Sequence, residues 1–388
     1  MEGSVVVLRA GWLPTQQANG IQTVRMCEAF AALGLRVSLY YLPQPEMRQD
    51  IISYYNIKTP VEFKPLPRAV LPWRKHFNLS RWSAVPQFIH AFLWSGLAAQ
   101  LASREKALFY FVREPMIAWW LGRMGLATVL EMHDIPNGRE RMFIRTASRR
   151  SSVKLVLAVT DHLRIDLVKK LEVPSEKTLT LHDGVELETD TSSVNKEAAR
   201  RRMGLPLDEP LVVYTGMLEA EKGLDVLVRA APMLKEARIV ILGYGARSDH
   251  ERLERIAREQ NASNVKLIGY KPHAEARWFQ KAADVLVLPH SMKFQHSAYY
   301  TSPLKLFEYM STGVPTIASA LPSIVEVVKH GVNGWLVQPD SPSALAEGMR
   351  YLLQNKTHAF AIARQAALDV LSYTWERRAA RIMEMVKP

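Results

Sequence analysis

Four polar side chains stand where chemistry on a charged substrate could be done: His133, Lys222, Lys305 and Glu308. Two of them share the stretch Ser302-Pro-Leu-Lys-Leu-Phe-Glu308, whose pattern predicts the start of a helix. Ser302 can cap it, and Pro303 suits a first turn, where a missing N–H costs nothing. Leu304, Leu306, Phe307 and Met310 supply an apolar face, and Gly313 is placed to end the helix. Val314 to Ala318 then reads as a short buried strand. The N–H groups of Leu304, Lys305 and Leu306 would point out of the helix end, an arrangement that favours anions. One turn further in, Glu308 could accept hydrogen bonds from a ribose. An ordinary amphipathic helix with Lys305 and Glu308 on its wet face fits the same pattern.

Lys222 lies between a strand-like run, Leu211–Tyr214 followed by Thr215-Gly216, and a helical run, Leu224–Leu234. An ammonium in such a loop suits phosphate oxygens, although a lysine before a helix is more often simply exposed. His133-Asp134 follows the strand Thr128–Met132, at the edge where open α/β sheets gather ligands. A turn histidine bonded to backbone is the alternative. Gly243-Tyr-Gly245 and Gly269-Tyr270-Lys271 each follow a strand-like run, and Gly-x-Gly alone marks no more than a tight turn. Asn19-Gly20 reads as a turn in a long loop between the strand Val5–Leu8 and a helix, Thr23–Leu33.

The segment Ser302–Ser319 resembles the signature helix of retaining glycosyltransferases of family 4, which have the two-domain GT-B fold. In that family two glutamates flank the donor nucleotide-sugar. Glu308 matches the second, and Tyr300 stands eight positions earlier in place of the first. The Gly216 to Gly223 loop is similar to the family's element in which Arg and Lys clamp a pyrophosphate; Lys222 is retained, and Met217 occupies the position where Arg is usual. The resemblance implies that His133 binds a donor-sugar hydroxyl and that Gly20 lies near the donor phosphate. It implies likewise that Tyr270 and Lys271 meet the base, and that Tyr300, Ser302, Pro303, Leu304 and Lys305 line the donor sugar and phosphates. His182-Asp-Gly-Val185 resembles the family's crossing into the second domain.

Alternating strands and helices of this kind predict an α/β chain of two Rossmann-like parallel-sheet domains facing a central cleft. The expected boundaries are 1–185 for the acceptor-side domain and 186–370 for the donor-side domain, with 371–388 as a C-terminal helix returning to the first. A chain of 388 residues, 48% of them hydrophobic, can bury two such cores. Its single cysteine, Cys27, cannot form an internal disulfide, which suits a reducing compartment. Val5–Leu8 reads as a first strand and not as a leader. No run approaches ~18 uninterrupted apolar residues, and Phe88–Ala102 reads as a buried or interfacial helix. The expected location is cytoplasmic, with peripheral contact at the inner membrane face.

Lysine and arginine outnumber aspartate and glutamate by 50 to 38, a net +12 that favours anionic partners. Cations and aromatics interleave at Trp73-Arg-Lys-His-Phe77 and Arg81-Trp82, which suits a membrane surface, an acceptor cleft or a solvated loop. The predicted activity is metal-independent, retaining transfer of a sugar from a UDP-, GDP- or ADP-sugar, used as co-substrate with no resident cofactor. The acceptor would be a hydroxyl on a glycan, a lipid-linked glycan or a small alcohol. Two other readings remain open: another nucleotide-sugar enzyme such as an epimerase, and a basic nucleic-acid-binding protein. The second should show a basic stripe with stacking aromatics, and only residues 73–82 hint at one, so no nucleic acid is expected.

Overall fold

The computed structural model describes residues 3–45, 50–67, 84–136, 138–187 and 195–386. The segment 73–82, read above as a surface for membrane or acceptor, lies outside them. The chain divides into two compact units, Met1–His182 with Trp375–Pro388, and Asp183–Thr374.

The first unit is built on seven parallel strands in the order β3-β2-β1-β4-β5-β6-β7. They are β1 (Ser4–Leu13), β2 (Arg36–Pro43), β3 (Glu62–Pro65), β4 (Phe109–Val112), β5 (Thr128–Met132), β6 (Val153–Ala158) and β7 (Thr178–Thr180). Val5–Leu8 and Phe109–Val112 are buried throughout, as expected of strands covered on both faces. Lys64 and Pro65 belong to the edge strand β3, where a proline's missing donor is tolerated.

Asn19-Gly20 is not a loop turn. Trp12 and Leu13 continue β1 by pairing with Leu42 and Pro43. The Tyr55 hydroxyl then pins the chain at Thr15, accepting from its N–H at 2.8 Å. The connection is thereby shortened, and the helix Ala18–Ala32 takes Asn19 and Gly20 into its first turn.

Six parallel strands make the second sheet, in the order β10-β9-β8-β11-β12-β13. They are β8 (Leu211–Met217), β9 (Arg238–Tyr244), β10 (Val265–Ile268), β11 (Val285–Leu288), β12 (Thr316–Ser319) and β13 (Trp335–Val337). Alternate residues feed two cores. Val213, Leu242, Leu286 and Leu288 face one side, and Val212, Ile241, Val285 and Val287 face the other. β8 is longer than the sequence suggests, because Thr215, Gly216 and Met217 pair with Leu242, Gly243 and Tyr244. The helix expected over Leu224–Leu234 stops at Ala230 and tightens into a turn at Ala231–Met233, around Pro232. Strand order reverses between β1 and β4 in one sheet and between β8 and β11 in the other, which is where such sheets bind ligands.

The last helix, Trp375–Val386, closes the first unit through an ion pair sealed from water. Arg378 Nη2 lies 2.7 Å from Glu131 Oε2, each side chain 3% exposed. Burial opposes the Glu131 carboxylate, but Arg378, His133 and Arg113 together outweigh it and hold the group far below the usual carboxylate range. The pair therefore stabilises the fold above the unfolded carboxyl pKa, and that contribution is lost as pH falls toward the depressed folded value. Arg378→Met should cost about 3–5 kcal/mol at pH 7, since it strands a buried charge. The gap to the unsubstituted protein should narrow as pH falls from 7 to 4, because without Arg378 burial raises the Glu131 pKa and the carboxyl takes a proton in the variant. Denaturant melts at pH 7 and pH 4 check this, and an equal gap at both would refute it.

Candidate functional site

The strongest polar constellation stands at the β8/β11 reversal and is held by backbone packing. Gly223 has φ +67°, and a Cβ there would lie 1.9 Å from the Pro289 carbonyl oxygen. Ser291 N–H donates to the Glu221 carbonyl at 3.1 Å, so the loops after β8 and β11 are stitched together. Lys222 ends a tight turn, Ala220–Lys222, and pairs with the adjacent Glu221 carboxylate. It is 6% exposed, which excludes the ordinary surface lysine.

Lys305 reaches the same edge from the helix Leu304–Met310. It does not lie on a wet face. Its ammonium sits 5.5 Å from the centroid of the Tyr214 ring. Gly216 has φ +135°, and a Cβ on it would come within 1.8 Å of Lys305 Cε. Burial and the Lys222 charge bring the Lys305 pKa down to about 8, against the pull of Glu308, Glu219 and Glu221. His290, just beyond β11, is buried, and its Nδ1 has no hydrogen-bond partner. Burial, with Lys222 and Lys305 adding to it, holds His290 well below the usual imidazole range and so neutral.

Glu308 is half-buried and faces His273 Nε2 at 3.3 Å. Its backbone carbonyl accepts from Arg277 Nη1 at 3.1 Å. Burial works against the carboxylate, but His273, Arg277 and Lys305 bring its pKa down to about 2. An anionic acceptor is thus set one turn beyond the lysine, where the sequence placed it.

Other expected residues are placed differently. Ser302 does not cap the helix; its hydroxyl accepts from Asp183 N–H at 2.9 Å. Pro303 occupies the cap position, which has no side-chain bond, and the Leu306 N–H donates to the Pro303 carbonyl at 2.9 Å. The anion site expected from three free N–H groups is reduced accordingly. Tyr300 is buried at the end of a single wide turn, His296–Tyr300. Tyr270 lies beyond β10, half exposed and edge-on to Tyr244 at 5.8 Å, and Lys271 pairs with Glu275 at 3.1 Å.

On the first unit, His133 Nε2 lies 2.6 Å from Glu131 Oε1. Burial and Arg113 outweigh Glu131 and lower the histidine pKa to about 4, so it is neutral at pH 7. Gly20 is buried, and a Cβ there would meet Thr15 Cγ2 at 2.3 Å, a packing requirement. Near the β1/β4 reversal stands a cluster that the sequence reading missed. Glu114 Oε1 accepts from Ala10 N–H at 2.9 Å, and Arg113 Nη1 donates to Asn19 O and Gln22 Oε1, both at 3.1 Å. Glu114 Oε2 and Arg9 Nε are buried without hydrogen-bond partners. His290 was missed too, although the rule that singles out His133, a histidine just past a short apolar strand, would have found it.

Two parallel-sheet Rossmann-like units of this topology define the GT-B fold. Residues 195–368 match the family of glycosyl transferases group 1, so the second unit carries the pattern of that group. An uncharacterized glycosyltransferase of Methanocaldococcus jannaschii is 28% identical over 240 residues, 60% of this chain and 59% of its own length. The sucrose-phosphate synthase of Thermosynechococcus elongatus superposes with TM-score 0.76 at 17% identity, covering 99% of this chain and 98% of that one. HepE of Anabaena, solved with UDP and glucose, gives TM-score 0.73 at 16% identity and 99% coverage of each.

Gly216→Ala should destabilise the second unit by about 2–5 kcal/mol, combining backbone strain with overpacking against Lys305. Pairing it with Lys305→Ala should recover the overpacking share and leave the strain. Thermal melts of the single and double variants measure the coupling; strict additivity would show that the two residues do not meet.

Proposed function

We propose that the protein is a retaining, metal-independent glycosyltransferase that uses a nucleoside-diphosphate-sugar. The observation that carries this reading is the convergence of Lys222 and Lys305 at the β8/β11 reversal, beside the carboxylate of Glu308. Two ammonium groups at one partly sheltered sheet edge suit a diphosphate, and the carboxylate suits ribose hydroxyls. The reaction breaks the bond between the sugar's anomeric carbon and the diphosphate oxygen. A hydroxyl acceptor bonds to the same face of that carbon, and its proton passes to the departing phosphate. Negative charge grows on the leaving group as the bond breaks, so the lysines act most strongly at the transition state. Neutral His133 gives its one N–H, on Nε2, to the Glu131 carboxylate, so its Nδ1 can accept from a sugar hydroxyl. The solved relatives with UDP and glucose, and with ADP and acarbose, support the donor class.

Thermal stabilisation by UDP, GDP, ADP and TDP tests the donor site. A nucleotide at ~100 times its dissociation constant should add about 2.7 kcal/mol of stability. No shift with any of them would remove the reading. Lys222→Ala should then lower kcat about a hundredfold or more with a smaller change in donor KM; a change in KM alone would make the residue a uniform binder.

A lipid-linked acceptor is favoured by one surface of the first unit. The helix Ala84–Ala102 has no Asp, Glu, Lys or Arg in its 19 residues, yet Ile89 is 51% and Leu93 60% exposed. On the neighbouring helix Glu140–Ser148, Met142 is exposed among the exposed Arg141 and Arg145. Arg139 lies 5.2 Å over the Phe88 ring. Among the described residues no helix is long and apolar enough to cross a membrane. Peripheral contact through this face, an apolar strip flanked by cations, should make the protein sediment with anionic and not zwitterionic vesicles. Ile89→Asp with Leu93→Asp should abolish this, and unchanged sedimentation would clear the face of that role.

A further inference from the structure

Among the described residues no carboxylate pairs with Lys305, because Glu221 is held by Lys222 and Glu308 by His273. The ammonium lies on the Tyr214 ring, under a glycine that has no side chain to displace it. The groups that face it from every side are Tyr214 on β8, Glu219, Glu221 and Lys222 on the following loop, His290 beyond β11 and Glu308 on its own helix. Burial and repulsion by Lys222 raise the cost of its charge, against the pull of Glu308, Glu219 and Glu221 and the face of the Tyr214 ring, and neutral His290 adds nothing.

The sheet edge therefore holds one lysine paired with a carboxylate and one, Lys305, that among the described residues pairs with none. A diphosphate brings the missing negative charge. We propose that Lys305 is the second cation of the diphosphate site and that it recovers its full charge only when the diphosphate arrives, so that donor binding in alkaline solution takes up a proton. This rests on the donor-site reading and adds its regulation. With burial and Lys222 holding the free ammonium near 8, it is mostly charged at pH 7 and mostly neutral at pH 9. Binding that prefers the charged form must shift its proton equilibrium by the same factor by which the proton improves binding.

The experiment is calorimetric titration of the full chain with UDP, GDP and ADP in buffers of low and high ionisation heat. At pH 8.5 the nucleotide that binds should take up about 0.7 proton, and at pH 7 about 0.1. Lys305→Arg keeps a permanent charge, so it should still bind but take up none, with the nucleotide's own titration common to both proteins. Lys305→Met should bind at least tenfold more weakly at pH 7 and also take up none. Uptake that persists in Lys305→Arg, or binding without uptake in the unsubstituted protein, overturns the inference and leaves the donor site standing. No binding by any nucleotide removes both. Should the arginine variant fail to fold, the unsubstituted protein still decides: its affinity should fall about tenfold between pH 8 and 9.5, and a flat profile overturns the linkage.

Discussion

Backbone meets backbone at the C-terminal edge of the second sheet, and the site depends on that close approach. A Cβ at Gly243 would lie 1.8 Å from the Gly216 carbonyl oxygen, and one at Gly223 would lie 1.9 Å from that of Pro289. Strand β8 can therefore run on to Met217 while the next loop folds back against the chain leaving β11. Side chains at these positions would widen the edge by more than an ångström. Lys222, His290 and Lys305 would then no longer share one sheltered corner, because each is delivered by a different segment whose spacing these contacts set.

The two units handle buried charge in opposite ways. In the first, Glu131 is surrounded by Arg378, His133 and Arg113, so a carboxylate sealed from water is over-compensated and stays ionised. That arrangement is structural: it ties the last helix to the sheet and fixes the ring of His133 through its Nε2. In the second, Lys305 is buried beside another ammonium with no carboxylate paired to it among the described residues, and the nearby imidazole is kept neutral. A buried group without its counterpart is costly, and such deficits concentrate where a ligand supplies what the protein omits.

Periodicity made the sheet strands legible, because Val5–Leu8, Phe109–Val112 and Val285–Leu288 are short apolar runs with turn residues beyond them. What local pattern could not show was tertiary. Asn-Gly reads as a turn, and only the pairing of Trp12 and Leu13 across β2 pulls it into a helix. Ser302 has the chemistry of a cap, but Asp183, 119 residues away, claims its hydroxyl. The clustering of Lys222 with Lys305 was out of reach of local pattern, since 83 positions separate them (305 − 222), and only the family resemblance set both at the donor phosphates. His290 and Glu114 were within reach of strand-end reasoning, and it was not applied to them.

The position of Met217 shows how the same charge can be supplied from another element. The resemblance places an arginine there, at the end of β8, where its fork would project directly over the loop. Here Met217 closes the strand, and its carbonyl accepts from the Tyr214 hydroxyl at 2.7 Å. A cation, Lys305, reaches the same edge from the helix Leu304–Met310, through the space that a side chain on residue 216 would fill. Gly216 is thus required twice, once for a φ of +135° and once to leave room for Lys305. The exchange also alters the chemistry. A guanidinium stays charged in almost any surroundings, whereas an ammonium moved to a buried position gives up part of its proton. A cation supplied to this edge by the helix lysine is thus titratable, where an arginine on the strand would be fixed.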